Sequence, residues 1–590
     1  MIKSHVLTIV FCSLFVSALQ AQSWEKAIQG QQEIIEIFLT DIQESFEFLA
    51  EAEQQKYVNR YRYNLDMHLG FCYSFSSRFP ELGGDAMNLS LATKGMILNT
   101  GREMRRAILN SGDTAAIQLY YDWTELKEKI AYQYTLPESK RLRGLPSMEK
   151  RVVQYEKDLY RIASAANGLP ELLGTRWQDV KASLTENEVA IEFSHFKFYN
   201  GEDWTDSVVY VAFVLRANDE WPHLVELFEE KELSHLLKNS ENLSESDFID
   251  FLYGFPEEGI DDPESMIGQL LHQKIWKPLE THLLPHDTIY YAPSGLLHLI
   301  NPDALPYSLD SVVAEKYTLI RLNTTGFLKT RNQNLQELNT MALFGGIDYE
   351  KNTMTARATD LIADASPAFE PSGRAQSTWN YLPGSKAEVE SIATFASTFT
   401  DSVIIFQGAD APEEAFKRLS GSKGSNVVHV ATHGFFLDDI EEVVADNMFQ
   451  SAENPLLRSG LLFSGGGVSW NSDVQTEGIE DGILTALEVA NTDLSGFQLV
   501  VLSACNTGLG TIEAGEGVYG LQRSFKMAGV EYLLMSLWEV PDIQTAQYMQ
   551  EFYKHLFETN NVHKAHQITN NTMRNKYSAP YYWAGFVLIR

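Results

Sequence analysis

Two short apolar runs constrain the fold of this chain more than any other feature of its sequence. The first is Asn426-Val-Val-His-Val-Ala-Thr-His-Gly434, and the second is Leu499-Val-Val-Leu-Ser-Ala-Cys-Asn-Thr-Gly508. Both are rich in β-branched residues and too short for a helix, so they are typical of strands buried in a parallel sheet. His433 and Cys505 follow these strands, at the carboxyl ends where open α/β sheets bind ligands. The two runs therefore predict a sheet edge that carries an imidazole and a thiol, the groups that a cysteine nucleophile and its base require.

The sequence around these runs alternates between strand and helix patterns from about residue 338 onwards. Strands are predicted at 341–345, 402–407, 427–431, 499–503, 531–537 and 583–589, and helices at 385–397, 411–419, 517–527 and 543–557. Such alternation implies a mostly parallel sheet with helices on both faces. Two long stretches, 357–379 and 438–481, interrupt the pattern and are predicted to be surface loops that act as lids or activation segments.

The sequence before residue 338 has different secondary-structure patterns. Between residues 22 and 165, apolar residues recur at helical spacing, and no 34-residue self-similarity indicates a tetratricopeptide array, so we expect a helical bundle or docking module. Between 170 and 330 we expect an α+β region. Its strands are predicted at 189–193 and 208–215, with Trp204 and Asp206 in the connection, then from 288 and over 312–323. An acidic helical stretch is predicted around 226–251.

The length and the charge of the chain limit the number of its domains and the kinds of partner that it binds. At 590 residues it is too long for one core. The expected division is a signal peptide at 1–21, a helical region at 22–165, an α+β region at 170–330 and an α/β domain at 335–590. A formal net charge of −33 argues against nucleic acid as a partner, because phosphates are neutralised by basic patches.

The amino terminus has the plan of a secretory signal. Lys3 and His5 precede an apolar stretch at 6–18, and cleavage could follow Ala18 or Ala21. We therefore expect export to the periplasm or the extracellular space; the alternative is a cytoplasmic protein with a short amphipathic first helix. No other run approaches transmembrane length. Cleavage would leave Cys72 and Cys505 as the only cysteines, too few for a disulfide framework.

His433 and Cys505 each have a structural alternative. A lone cysteine is most often a small buried hydrophobe, and a lone histidine after a strand most often a hydrogen-bonded turn residue. The pair favours chemistry because both residues leave equivalent strands and are followed by glycine-containing turns. The backbone N–H groups of Gly434 and Cys505 are the expected oxyanion donors. No third carboxylate is needed if a backbone carbonyl orients the imidazole. No Cys/His spacing indicates zinc and no phosphate-binding loop follows a strand, so neither a metal nor a cofactor is predicted.

Several motifs occur in the order of a known family. Besides the two apolar runs, they are Leu382-Pro-Gly384, Asp481-Gly-Ile-Leu-Thr-Ala-Leu-Glu488, Gly515-Glu-Gly-Val-Tyr-Gly-Leu-Gln-Arg523, Ser536-Leu-Trp-Glu-Val-Pro-Asp542 and Tyr582-Trp-Ala-Gly-Phe586. Over about 335–590 the chain resembles a CHAT domain, a caspase-like module related to separases and distantly to caspases and gingipains. The resemblance continues into Ala292-Pro-Ser-Gly295 and Pro302-Asp303. It implies a caspase-hemoglobinase fold with His433 as base and Cys505 as nucleophile, hydrolysing peptide bonds through an acyl-enzyme without metal or cofactor. Family members usually follow tetratricopeptide repeats that receive a regulatory partner, so we expect a latent enzyme.

Three acidic residues are candidates for a substrate pocket: Asp481, Glu516 and Asp542. Each also has a structural interpretation, since Asp481 could anchor a loop, Glu516 could complement a helix dipole and Asp542 could cap the helix that begins near Ile543. Two functions follow from the whole sequence. One is a cysteine endopeptidase acting on a protein or peptide, with a possible regulatory protein on the helical region. The other is a non-catalytic scaffold that docks partners on its helical amino-terminal half.

Overall fold

Apolar side chains at helical spacing form the helices that begin the described part of the chain, as the sequence predicts. Ile34, Ile35, Phe38 and Leu39 are buried on one face of the first helix, α1. The helices of this region are α1 (Trp24–Phe46), α2 (Glu51–Phe75), α3 (Glu81–Thr93), α4 (Met96–Leu109), α5 (Thr114–Thr135), α6 (Leu145–Ala165) and α7 (Trp177–Ala182).

These descriptions come from a computed structural model of the chain. The described residues are 24–135, 141–166, 169, 174–238, 244–255, 267–331, 338–351, 379–423, 426–437, 454–470, 480–504, 508, 511–513 and 517–590. Residue contacts divide the chain into two units, one mainly of residues up to Arg331 and one mainly of residues from Asn332.

The first unit contains a five-stranded mixed sheet beside its helices. Its strands are β1 (Glu188–Tyr199), β2 (Trp204–Arg216), β3 (His223–Glu229), β4 (Thr288–Ala292) and β5 (Thr318–Arg321), in the order β3-β2-β1-β4-β5. The first three strands pair antiparallel, whereas β1, β4 and β5 pair parallel. Its further helices are α8 (Glu230–Lys238), α9 (Glu245–Tyr253), α10 (Ile267–Leu271) and α11 (Val313–Lys316). Apolar residues of the early helices and of these strands share one core, which includes Phe38, Phe71 and Phe213.

Two predictions for this unit are wrong in detail. Trp204 and Asp206 belong to β2 and not to the connection, because β1 and β2 stay paired as far as Tyr199 and Trp204 and turn within a few residues. The strand predicted over 312–323 is limited to β5, because Val313–Lys316 forms a helical turn before it.

The second unit is built on a larger, mostly parallel sheet flanked by helices. Its strands are β6 (Thr340–Ile347), β7 (Ser402–Gly408), β8 (Asn426–Ala431), β9 (Gly434–Phe436), β10 (Ser459–Leu462), β11 (Ile483–Thr485), β12 (Phe497–Ser503), β13 (Thr511–Glu513), β14 (Gly517–Tyr519), β15 (Tyr532–Ser536) and β16 (Phe586–Ile589). The main sheet runs β16-β15-β12-β8-β6-β7, and β16 is its one antiparallel strand. A small antiparallel sheet, β11-β10-β9, begins directly after His433.

The helices of this unit are α12 (Pro383–Ala396), α13 (Glu413–Lys417), α14 (Gly466–Trp470), α15 (Ala486–Asn491), α16 (Leu521–Met527), α17 (Asp542–Thr559) and α18 (Val562–Lys576). The predicted α/β alternation is therefore confirmed as a fold class. The helix predicted over 517–527 is wrong at its start, because β14 occupies its first residues and α16 begins only at Leu521. The loop predicted over 438–481 is also wrong in part, because its described residues include the buried β10 and the short α14. The other predicted loop, 357–379, lies outside the described residues except for Trp379.

None of the described helices combines the length and apolar character that crossing a membrane requires.

Candidate functional site

The strands β8 and β12 end level with each other in the main sheet. Val428 pairs with Val500, and Ala431 pairs with Ser503 at the last position of both strands. The Thr432 N–H continues the ladder by donating to the Ser503 carbonyl at 3.2 Å. His433 thus leaves the sheet at its carboxyl edge, beside the end of β12. Cys505 follows Ser503 by two positions in the sequence and lies outside the described residues.

A single backbone contact sets the orientation of the His433 imidazole. Its Nε2 lies 2.7 Å from the carbonyl oxygen of Asn380. Because a carbonyl can only accept, Nε2 carries the proton and Nδ1 of the neutral ring is an acceptor. The rings of Tyr349 and Trp379 lie against the imidazole, with centroids 4.9 and 5.1 Å away. Asn380 therefore supplies a backbone carbonyl that orients the imidazole without a carboxylate.

The protonation state of His433 suits a base. Burial lowers the pKa of this imidazole below its ordinary value, and this effect outweighs the Asn380 carbonyl and the negative charges of Glu539 and Asp542, which raise the pKa. The ring is therefore neutral at neutral pH. A neutral imidazole with Nδ1 free of a proton can take one from a thiol or a water molecule.

A cleft opens beside His433. Its walls are the carboxyl ends of β8, β12 and β15 and the first turns of α12 and α17. Besides His433, the titratable side chains that line it are Glu388, Glu539 and Asp542, and no lysine or arginine is among its described lining residues. Glu388 is buried, with Oε1 2.7 Å from Nε2 of the equally buried His429.

Asp542 lies in the cleft but does not cap its own helix. It is the first residue of α17, and its Oδ2 accepts a hydrogen bond from the N–H of Gly384 at 2.6 Å. The expected capping role is wrong in this respect, because the carboxylate satisfies a free N–H at the start of α12 instead. A Cβ at Gly384 would lie 2.5 to 2.7 Å from the Asp542 carboxyl group, so this approach requires glycine.

The CHAT domain matches residues 266–590, more than half of the chain. The chain belongs to the CHAT domain family. Tetratricopeptide repeat protein 28 of Mus musculus is 34% identical over 112 residues, which are 18% of this chain and 4% of that protein. The human protein of the same name is 33% identical over 116 residues, 19% of this chain and 4% of that protein. The chain thus spans only a small fraction of the length of these relatives.

Two solved structures are similar to this CHAT protein. The Saccharomyces cerevisiae separase–securin complex matches with a TM-score of 0.38 and 9% identity, over 95% of this chain and 40% of that chain. The Arg-specific cysteine proteinase gingipain R matches with a TM-score of 0.31 and 11% identity, over 60% of this chain and 74% of that chain. The match to the CHAT domain confirms the expected family.

Asp481 lies in a separate, partly buried cluster of charges in the CHAT protein and is not among the residues that line the cleft. The ammonium group of Lys417 lies 2.8 Å from Glu413, 2.7 Å from Glu480 and 2.9 Å from Glu488. Burial, reinforced by Glu488, raises the pKa of Asp481 to about 7. Carboxylate oxygens of Glu413, Glu480 and Glu488 lie within 4.8 Å of one another, a spacing that could hold a cation. Here the Lys417 ammonium lies among them. Glu516 lies outside the described residues.

Two contributions to the site escaped the sequence analysis. Asn380 acts through its backbone carbonyl, which any residue would supply, so its side chain gave no signal. Ser536, at the end of β15, donates its hydroxyl to the Ala504 carbonyl and accepts a hydrogen bond from the Gly508 N–H, both at 2.7 Å. Ser536 opens one of the family motifs, and that motif was the only indication of its importance.

Proposed function

We propose that this CHAT protein is a cysteine endopeptidase in which Cys505 is the nucleophile and His433 the general base. The observation that carries the proposal is the hydrogen bond from Nε2 of His433 to the Asn380 carbonyl. This bond fixes the proton on Nε2 and leaves Nδ1 to act as base. The level ends of β8 and β12 add support, because His433 and Cys505 each follow a register-paired residue by two positions.

The proposed reaction needs only groups of the protein and water. Cys505 gives its proton to Nδ1 of His433, and the thiolate attacks the peptide carbonyl to form a tetrahedral oxyanion. The imidazolium then returns the proton to the leaving amine, and a thioester remains. Water, deprotonated by His433, attacks the thioester and releases the acid and the free thiol. No step requires a metal or an organic cofactor.

Gly434 is the proposed oxyanion donor for which the structure gives a geometry. Leu462 N–H donates to the His433 carbonyl, and Leu437 N–H donates to the Arg458 carbonyl. Between these bonded positions, Gly434 pairs with Leu461 in β10. Bonded and non-bonded positions alternate in an antiparallel ladder, so the Gly434 N–H is directed away from β10, which supports the proposed donor role. The N–H of Cys505 is the second proposed donor.

We infer that the activity is latent until a partner or a loop movement opens the site. Tyr349 and Trp379 both pack on His433, so a substrate carbonyl that approaches this imidazole has to share its surroundings with two aromatic rings. Displacement of these rings would expose the base.

Covalent labelling tests the proposal directly. The mature protein is treated with peptide acyloxymethyl ketones that carry Arg, Lys, Asp or Leu at P1, and the intact mass is measured with and without candidate partners. We expect one adduct at Cys505 that disappears in Cys505→Ala and in His433→Ala. Cys72→Ala is the matched control, because burial raises the pKa of the Cys72 thiol well above its usual range and should keep it unreactive. Labelling that persists in Cys505→Ala would reject the assignment.

A scaffold function is the second candidate. Large apolar side chains are exposed on the described helices of the first unit: Ile37, Tyr63 and Tyr121 are each at least half accessible. Such residues are typical of docking surfaces when they lie close together. A defined partner that binds wild type and Cys505→Ala equally, and that binds Ile37→Ser or Tyr63→Ser more weakly, would favour this function if no peptidase activity is found with that partner present.

A further inference from the structure

Ser536 bonds to both sides of the short segment that contains Cys505. Its hydroxyl donates to the carbonyl of Ala504, the residue before Cys505, at 2.7 Å. Its own carbonyl accepts from the N–H of Gly508, three residues after Cys505, also at 2.7 Å. One residue of β15 thereby holds the chain immediately before and shortly after the proposed nucleophile.

The position of Ser536 follows from the register of the sheet. Strands β12 and β15 pair parallel, and their register ends with Val501 opposite Leu534. Two residues further along, Ser503 and Ser536 end the two strands. Beyond this point the hydroxyl and the carbonyl of Ser536 continue the hydrogen bonding from β15 to the chain that follows β12. Ser536 is only 2% exposed. A hydrogen bond in such a buried place is worth more than one in water, and its loss leaves a buried carbonyl without that partner.

Gly508 shows how close this connection is. A Cβ at Gly508 would lie 2.8 Å from the Ser536 carbonyl oxygen and 3.0 Å from a methyl group of Leu537. Only glycine therefore allows the chain after Cys505 to approach β15 without a shift of the backbone.

We infer that Ser536 is a positioning residue that fixes the backbone around Cys505 for attack. This inference rests on the proposed function, and it assigns to Ser536 no contact with substrate. The two hydrogen bonds hold Ala504 and Gly508, the nearest described residues before and after Cys505. The proposed attack uses the thiol of Cys505 and, at the oxyanion, its backbone N–H. Both groups have to be aligned with the substrate carbonyl, and a misplacement of about 1 Å can cost on the order of a hundredfold in rate.

The test compares two reactions of the same thiol in the full-length mature protein. A peptide acyloxymethyl ketone requires a bound and aligned carbonyl, whereas iodoacetamide requires only an accessible thiolate, which displaces iodide. We expect Ser536→Ala to slow the peptide reagent by at least about tenfold. Iodoacetamide should react within about threefold of the wild-type rate, since thiolate character and access change little. Ser536→Thr, which keeps the hydroxyl, should recover part of the loss.

Ser524→Ala is the matched control. It also removes one buried hydroxyl, from α16, but the Ser524 hydroxyl has no hydrogen-bond partner among the described residues and Ser524 does not line the cleft. Both reagents should therefore modify Ser524→Ala at wild-type rates. Thermal unfolding of each variant checks the fold. If Ser536→Ala does not fold, Gly508→Ala perturbs the same contact from the other side and should give the same selective loss.

Three outcomes would overturn the inference. Equal loss with both reagents would indicate general disruption of the site, and no loss with either would show that Cys505 is positioned without Ser536. Both leave the proposed function intact. A wild-type Cys505 that reacts with iodoacetamide but with none of the peptide reagents, with or without partners, would reject the proposed function and with it the positioning role.

Discussion

The hydrogen bond between His433 and Asn380 fixes the position of one proton. Because Asn380 accepts from Nε2, the imidazole reaches the cleft with a single tautomer already selected. A base whose tautomer is fixed by the fold needs no rearrangement before it takes a proton, which lowers the reorganisation required at the moment of reaction.

The pH dependence of activity follows from the charges around this ring. Burial lowers the pKa of His433, so the acidic limb of kcat/KM should lie below the ordinary histidine range of about 6.5. The negative charge of Glu539 raises this pKa, so Glu539→Gln should move the limb to still lower pH. Measurement of kcat/KM, or of the labelling rate, between pH 4 and pH 8 checks both shifts. A limb that moves upward in Glu539→Gln would contradict the assignment of His433 as the base.

Asp481 predicts a pH dependence of stability. Its pKa is about 7 in the folded protein, against about 3.9 in an unfolded chain, so the folded state holds a proton that the unfolded state lacks between these values. The contribution of Asp481 to the free energy of unfolding is therefore greatest below pH 4 and declines as the pH rises to 7. Asp481→Asn cannot ionise and should raise the unfolding temperature at pH 8 more than at pH 4. Asp401 is exposed, so Asp401→Asn is the control. An equal effect of Asp481→Asn at both pH values would contradict this account.

At the scale of elements, the first turns of α12 and α17 are joined through Gly384 and Asp542. The hydrogen bond between them leaves no room for a side chain at Gly384. Both turns line the cleft, so the distance between them determines the shape of that side of the cleft.

Gly384→Ala should push these helices apart. Overpacking of this kind typically costs about 1–3 kcal/mol of stability. We also expect slower labelling by peptide reagents, because the cleft wall moves. Gly144→Ala is the matched control, since a Cβ at Gly144 would meet nothing within 4 Å. Chemical denaturation of both variants measures the difference, and equal stabilities would contradict the predicted clash.

The strands and the sheet edge that carries the candidate site could be predicted because their causes are local in the sequence. The β-branched residues of β8 and β12 identify buried strands, and small residues after them mark the edge. The short β10 and α14 could not be predicted, because four or five residues carry no periodicity that separates them from a loop. Asn380 and Ser536 could not be assigned a role, because one acts through its backbone and the other through a register known only after folding.

At the scale of the whole molecule, the CHAT match includes all of the second unit's main sheet and begins within the first unit's residues. The division of the chain at about 165 and 335 stays a prediction, as does the regulatory partner on the helical region. Both predictions concern the chain as a whole and not the candidate site alone.

Export is the prediction that concerns the complete chain. Residues 1–21 lie outside the described residues, and we expect a peptidase to remove them. Expression of the full sequence, followed by fractionation and amino-terminal sequencing, should find a mature protein that starts after Ala18 or Ala21. An intact Met1 in the cytoplasmic fraction would contradict export and leave the proposed chemistry unaffected.

The packing of Trp379 against His433 has an optical consequence. A protonated imidazole in contact with an indole quenches its fluorescence, whereas a neutral imidazole does so far less. The ring centroids of these two residues are 5.1 Å apart. The pH-dependent part of the tryptophan emission that is lost in Trp379→Phe should therefore report protonation of His433 in the resting protein, before any substrate is known.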